Sequence, residues 1–169
     1  MVNALRYMAK FIERMPLDQS PEETEGREGF IHPIEVSGSA SECKCALILR
    51  DFDEEKLKAL GRQVRANAEY LMTLEPRLKV QVNIKRSYPN MYAVLKDRPE
   101  ISARLEEAIR QTGLTPEIIP VRGGTDGSSL TLKGLPCPNI YTGGVNYHGP
   151  TEWVSTRCMG LAVCTLLNL

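Results

Sequence analysis

Residues 78–85, LKVQVNIK, alternate without exception. Leu78, Val80, Val82 and Ile84 fall on one side, and Lys79, Gln81, Asn83 and Lys85 on the other. A period of two matches the pleat of a strand with one face in a core and one in water, the usual pattern of an antiparallel sheet. The stretch before it has the other period. Leu57, Leu60, Val64, Ala68 and Leu71 recur at helical spacing, Asp53 stands where an N-cap belongs, and Glu54 and Glu55 suit the positive helix end. A chain that carries both periods side by side is restricted to α+β or α/β architectures.

The remaining elements follow from the same signals. Leu5, Met8, Ile12 and Met15, with Met1, form a helical face that Pro16 ends, and no cap precedes it. Residues 17–29 are polar, acidic and rich in turn formers. Residues 30–36 read as a strand in which Pro33 removes a ladder donor, which favours an edge or a bulge. Residues 43–50, CKCALILR, read as a second strand, apolar on both faces in its middle and so expected to be central. The first 85 residues thus spell helix, strand, strand, helix, strand. A ferredoxin-like βαββαβ module has one strand more in front, so the module is expected to lack its first strand.

Composition shifts at Ser87-Tyr88-Pro89-Asn90, and the domains are expected to be 1–88 and 89–169. The second half reads as a helix opened by Pro99 and stopped by Gly113, a strand at 116–121, a short helix to Lys133, a strand near 139–142 and a C-terminal helix from Ser155. Alternation of α and β suits one side of a larger sheet and is small to stand alone.

Charge excludes some functions. The chain has 169 residues, with 21 Lys and Arg against 21 Asp and Glu, so no net field draws it to nucleic acid or anionic lipid. No apolar run is long enough to span a membrane, and the first fifteen residues lack a signal-peptide pattern. The five cysteines are odd in number and follow no framework spacing, so reduced, buried thiols of a cytosolic protein are expected.

Few residues carry chemistry. Arg122 ends an expected strand and precedes Gly123, Gly124, Thr125 and Asp126 at a helix start. Glycines there expose N–H groups to an anion, and the guanidinium fork grips a carboxylate at two points; a surface Arg beside a glycine turn is the plainer account. His148 lies in a glycine-flanked loop with Asn146, exposed enough to ligate a metal, but one His does not hold zinc. His32 is the only other histidine, and the paired carboxylates have structural accounts in a loop, a cap and a solvated helix face. Asn90 at the junction is either a ligand-facing polar group or part of a plain turn.

At these residues the chain resembles the peptidase T family. The resemblance lies in Ser20-Pro21-Glu22-Glu23-Thr24-Glu25-Gly26-Arg27-Glu28-Gly29-Phe30, in Arg50-Asp51-Phe52-Asp53 and in Asn90-Met91. It continues in Arg122 to Gly127, in Gly134-Leu135-Pro136-Cys137-Pro138-Asn139 and in Gly143-Gly144 through His148-Gly149. The motifs come in the family's order and cover nearly the whole chain. Pro33, Trp153, Cys43 and Cys45 depart from its usual residues.

The resemblance implies a cytoplasmic aminopeptidase of tripeptides that uses two zinc ions and a glutamate base. It implies a lid or dimerisation domain in the first half, and the C-terminal part of an α/β zinc-peptidase catalytic domain in the second. By it, His148 stands for the last zinc ligand and Arg122 for the group that holds the substrate's carboxylate. Gly123, Gly124, Thr125 and Asp126 line that pocket, and Asn90 is a substrate-side polar group. The family's base, bridging carboxylate and other ligands have no counterpart in this sequence, so no catalytic residue is expected here. The chain is expected to be inactive alone, to need a missing N-terminal half, and to self-associate through the lid. A non-catalytic dimerisation or binding fragment, or half of a split enzyme, is the alternative.

Overall fold

The computed structural model describes residues 2–87 and 90–169. Met1 of the first apolar face, and Tyr88 and Pro89 of the expected turn, lie outside the described residues. The architecture is α+β with small sheets, in two compact units, Met1–Arg86 and Ser87–Leu169.

In unit 1, helix α1 (Ala4–Glu13) is capped after all: Asn3 accepts a hydrogen bond from the Arg6 N–H through its side chain. Its inward face keeps the expected Met8, Ile12 and Met15 but is rotated toward Tyr7 and Phe11, away from Leu5. Phe11 and Met15 are buried, Tyr7, Met8 and Ile12 pack beside them, and Leu5 is exposed. A Tyr7–Phe11 pair one turn apart supplies more apolar area than Leu5 would, and it sets the rotation of the helix.

Strands β1 (Phe30–Gly38) and β2 (Cys43–Arg50) pair antiparallel, from Phe30 opposite Arg50 to Gly38 opposite Cys43. The register shifts between Pro33 and Glu35, so Ile34 is the extra residue of a β-bulge. The missing N–H of Pro33 is thus placed where the ladder already breaks. Gly38 has φ +147°, and a Cβ there would lie 2.3 Å from the Glu42 carbonyl oxygen, so the turn into β2 requires glycine.

Helix α2 (Glu54–Leu74) starts where expected. The Asp53 carboxylate accepts from the N–H groups of Glu55 and Lys56 at 2.8 and 2.9 Å. Leu60, Val64, Ala68 and Leu71 are buried and meet Phe11, Met15 and Ile31 in one core. Asn67 ties the helices together, donating to the Phe11 carbonyl at 2.8 Å and accepting from Arg14 Nε at 3.0 Å.

Two strand expectations fail in unit 1, for one reason. The alternating segment 78–85 forms no strand, and β2 is not central, because among the described residues its only partner is β1. A ladder needs a neighbour about 4.8 Å away. Residues 78–85 lean on α2 instead: Leu78, Val80 and Val82 pack against the core, and Arg65 of α2 donates to the Val82 carbonyl. The period of two records a core on one side and water on the other, which a ladder does not require.

In unit 2, α3 (Tyr92–Leu95) is a single turn before α4 (Pro99–Arg110), which has Pro99 in its first turn and Gly113 at φ +81° after its end. Then come α5 (Asp126–Leu132), a two-residue pairing of β3 (Gly144–Val145) with β4 (Trp153–Val154), and α6 (Thr156–Leu167), capped by Ser155. The strands expected at 116–121 and 139–142 do not form. Pro116 and Pro120 remove two ladder donors from the first. The second is held by side chains, through Tyr141 to Thr165 of α6 and through Thr142 to Tyr147. All five cysteines are unbridged as expected, but none is buried.

Candidate functional site

The residues singled out in the sequence lie on three loops of unit 2. The first carries Arg122, which is half-buried, and Gly123, whose Cα faces open space. The loop's far end is fixed by packing. A Cβ on Gly127 would lie 2.9 Å from the Cys137 carbonyl, so only glycine lets α5 approach residues 137–139 so closely. Thr125 Oγ1 is 3.1 Å from Asn139 Oδ1, and the buried Thr131 hydroxyl accepts from the Cys137 N–H at 2.9 Å. Thr125 is therefore an anchor, while Asp126 is exposed at the first helical position. Helix α5 has seven residues and too short a dipole to make an anion site alone. What the loop offers a carboxylate is the guanidinium of Arg122 and the glycine backbone after it.

The second loop carries His148. Asn146 and His148 have φ +56° and +63°, in the left-handed region that asparagine tolerates and histidine adopts at a cost. A local lattice holds them there. Asn146 donates to Thr151, the Glu152 carboxylate accepts from the His148 N–H at 3.1 Å, and the Tyr147 hydroxyl is 2.7 Å from Thr142 Oγ1. Gly143, at φ +74°, lies against Cys158, where a Cβ would come within 2.3 Å. The imidazole stands exposed at the tip. Tyr147, Thr151 and Glu152 escaped the sequence reading. Only the left-handed preference of Asn in a glycine-flanked loop signalled the turn they secure.

The third position is Asn90. Its Oδ1 accepts from the Tyr92 N–H at 2.9 Å, opening α3, so that oxygen is committed to a local turn.

A zinc centre takes three or four donors. Among the described residues no group of three His, Cys, Asp or Glu side chains converges, and the Glu152 oxygen nearest His148 is bonded to its backbone. The donors present do not fit a zinc ion; His148 is a single imidazole with no set of two further donors converging on it among the described residues.

The fold and these loops define a two-unit α+β chain that presents an exposed histidine and an arginine–glycine loop. No family model matches the chain. It is 37% identical over 169 residues to peptidase T of Aeromonas hydrophila subsp. hydrophila, and 39% identical over 170 residues to peptidase T of Salmonella arizonae and of Escherichia fergusonii. Each match takes in the whole of this chain and 42% of the relative, so the chain spans less than half the length of the curated relatives it matches. Along its whole length the chain is related to the peptidase T family. A solved tripeptidase from Staphylococcus aureus subsp. aureus Mu50 shares the fold, with a TM-score of 0.68 over 99% of this chain and 44% of that one at 24% identity.

Proposed function

We propose that this chain is the substrate-carboxylate part of a zinc-dependent aminopeptidase that removes the N-terminal residue of tripeptides, and that alone it is inactive. The observation that carries the reading is the whole-length relation to peptidase T, together with an Arg122–Gly123–Gly124 loop whose far end is locked by α5. Arg122 grips the terminal carboxylate of a short peptide, with Gly123, Gly124, Thr125 and Asp126 forming the wall and Asn90 a polar group beside it. The guanidinium fixes the distance from carboxylate to scissile bond, which selects short peptides. His148 is one ligand of the two zinc ions of the complete enzyme. The base and the other ligands belong to a partner half.

Unit 1 is read as the lid and dimerisation module, ferredoxin-like without its first strand and with residues 78–85 packed on α2 rather than paired as its last, and unit 2 as a piece of the α/β catalytic domain. Among the described residues no helix is long and apolar enough to cross a membrane, and a cytoplasmic location rests on the family resemblance alone.

The test is tripeptide hydrolysis by the purified chain with zinc supplied, alongside peptide binding. The expected result is no turnover, with measurable binding of a tripeptide that Arg122→Gln weakens about tenfold or more, as loss of a charge-assisted fork predicts. A C-terminally amidated tripeptide should bind equally poorly to both forms. Turnover at an ordinary enzymatic rate overturns the inactive-half reading. Carboxylate-independent binding overturns the role of Arg122. A non-catalytic dimerisation fragment is favoured by one observation, that among the described residues nearly all the buried apolar ones lie in unit 1. It predicts self-association with no peptide binding.

A further inference from the structure

We propose that unit 1 carries a separate binding site, in which the depression between the 18–29 loop and the start of α2 takes the ammonium–carboxylate pair of a free α-amino acid. The proposal does not rest on the peptidase reading. The depression has a volume of about 460 Å³, within the usual size of small-molecule sites, and is lined by polar and charged groups.

Its wall is a built loop. Thr24 Oγ1 donates to the Ser20 carbonyl at 2.7 Å, and the Glu28 carboxylate accepts from the Glu25 N–H at 2.9 Å. The Glu28 N–H returns to the Glu25 carbonyl at 3.0 Å, around Gly26 at φ +55°. These bonds shape the loop that carries Arg27 at the rim, its guanidinium 5.7 Å from the Phe52 ring centre.

The floor requires a glycine. A Cβ on Gly29 would lie 2.1 Å from Asp51 Oδ2, so the absent side chain is what lets that carboxylate oxygen sit there. The other Asp51 oxygen accepts from the Asp53 N–H at 2.8 Å, which fixes the carboxylate. Lys56 enters from the first turn of α2, its backbone held by the Asp53 cap. Gln19 Oε1 is buried beside the depression with no hydrogen-bond partner, an acceptor that needs an N–H donor.

Charge decides the ligand class. Arg27 and Lys56 are both at the depression and neither is ion-paired among the described residues, whereas Lys58, Arg77, Arg86, Arg98 and Arg110 all are. Asp18, Glu28 and Asp51 line the same depression, and Glu28 is engaged by the Glu25 N–H. A simple anion drawn to Arg27 and Lys56 is repelled by the three carboxylates, and a simple cation drawn to the carboxylates is repelled by the two basic groups. A zwitterion satisfies both signs at once, and its ammonium has protons for Asp18, Asp51 and Gln19 Oε1. The site is open to water, so binding is weak, in the millimolar range.

The test is titration of the full chain, labelled with nitrogen-15, with glycine and with L-alanine, against acetate and methylammonium as the two separated halves. The expected result is saturable amide shifts confined to residues 18–29 and 51–56. The zwitterion should bind about tenfold or more tighter than either half, and Arg27→Gln and Asp18→Asn should each weaken it about tenfold at an unchanged melting temperature. Equal response to acetate or to methylammonium reduces the depression to a site for one charge and overturns the proposal. Absence of saturable shifts through the millimolar range also overturns it. Binding that survives both substitutions places the ligand elsewhere and does the same.

Discussion

Thr165 shows how much one side chain can hold in unit 2. It is fully buried, its hydroxyl donates to the Leu161 carbonyl at 3.1 Å, and it lies 2.9 Å from the Tyr141 hydroxyl. Thr165→Val keeps the shape and strands the Tyr141 hydroxyl, so it should cost about 1–3 kcal/mol in denaturant unfolding. Adding Tyr141→Phe should recover part of that loss, because both polar partners are then gone. Glu75 is the matching case for charge in unit 1. Bonds from the Arg77 side chain, and then its backbone N–H, lower its pKa from 4.5 to about 2. A depressed folded-state pKa contributes stability that is fully present above the unfolded value and is lost as pH falls through the folded one. Stability should therefore drop between about pH 4.5 and 2, and Glu75→Gln should flatten that part of the profile of unfolding free energy against pH. The two residues also differ in legibility. A side chain that bonds its own neighbourhood leaves a local signal, and the Asp53 cap was readable from its position alone. The Tyr141–Thr165 bond spans 24 residues and left none.

At the scale of elements, α2 was legible from its cap and from four of the five stripe positions, Leu60, Val64, Ala68 and Leu71, with Leu57 outside the core. Its core position also sets its energetics: Leu71 is 2% exposed in the centre of the cluster, and Leu71→Ala should cost about 2–5 kcal/mol. Thermal or denaturant unfolding of unit 1 measures it. Segment 78–85 is the instructive failure. Its pattern was the clearest in the chain, and the burial it implied is there in Leu78, Val80 and Val82. The pattern says which side chains face a core; it is silent on whether a partner strand stands beside the backbone. Hydrogen exchange separates the two. Amides of residues 79–85 should exchange much faster than those of β1 and β2 that face each other across the ladder, since no backbone acceptor protects them among the described residues. Protection equal to that of the β1–β2 ladder would mean that the segment is paired in solution. The misread strands of unit 2 teach the same limit, with proline as the reason at 116–121 and side-chain tethers at 139–142.

For the whole molecule, the contrast between the units governs behaviour. Unit 1 buries Phe11, Met15, Phe30, Ile31, Leu60, Val64, Ala68 and Leu71; unit 2 buries, among its described apolar residues, Ala108, and otherwise Ser128, Thr131 and Thr165. Unit 2 meanwhile exposes Ile118 at 77%, Ile119 at 65%, Leu166 at 57% and Leu167 at 80%. Buried apolar area is the main term that offsets chain entropy, at roughly 25 cal/mol per Å², so unit 2 has little of its own to hold it. The loops of Arg122 and His148 were legible as candidates because glycine, asparagine and arginine leave local marks, whereas the Tyr147, Thr151 and Glu152 tethers that hold the His148 loop leave none. The expected consequence is unequal stability. Limited proteolysis should cut within residues 114–125 first, and hydrogen exchange should show unit 2 opening at lower free energy than unit 1. Exposed apolar surface of this kind also draws the chain into association, so sedimentation should shift to larger species as concentration rises. The two readouts constrain each other. If unit 2 proves as protected as unit 1 while the chain stays monomeric at high concentration, the exposed isoleucines and leucines are covered within the chain itself, and the reading of unit 2 as an incomplete half of a catalytic domain falls.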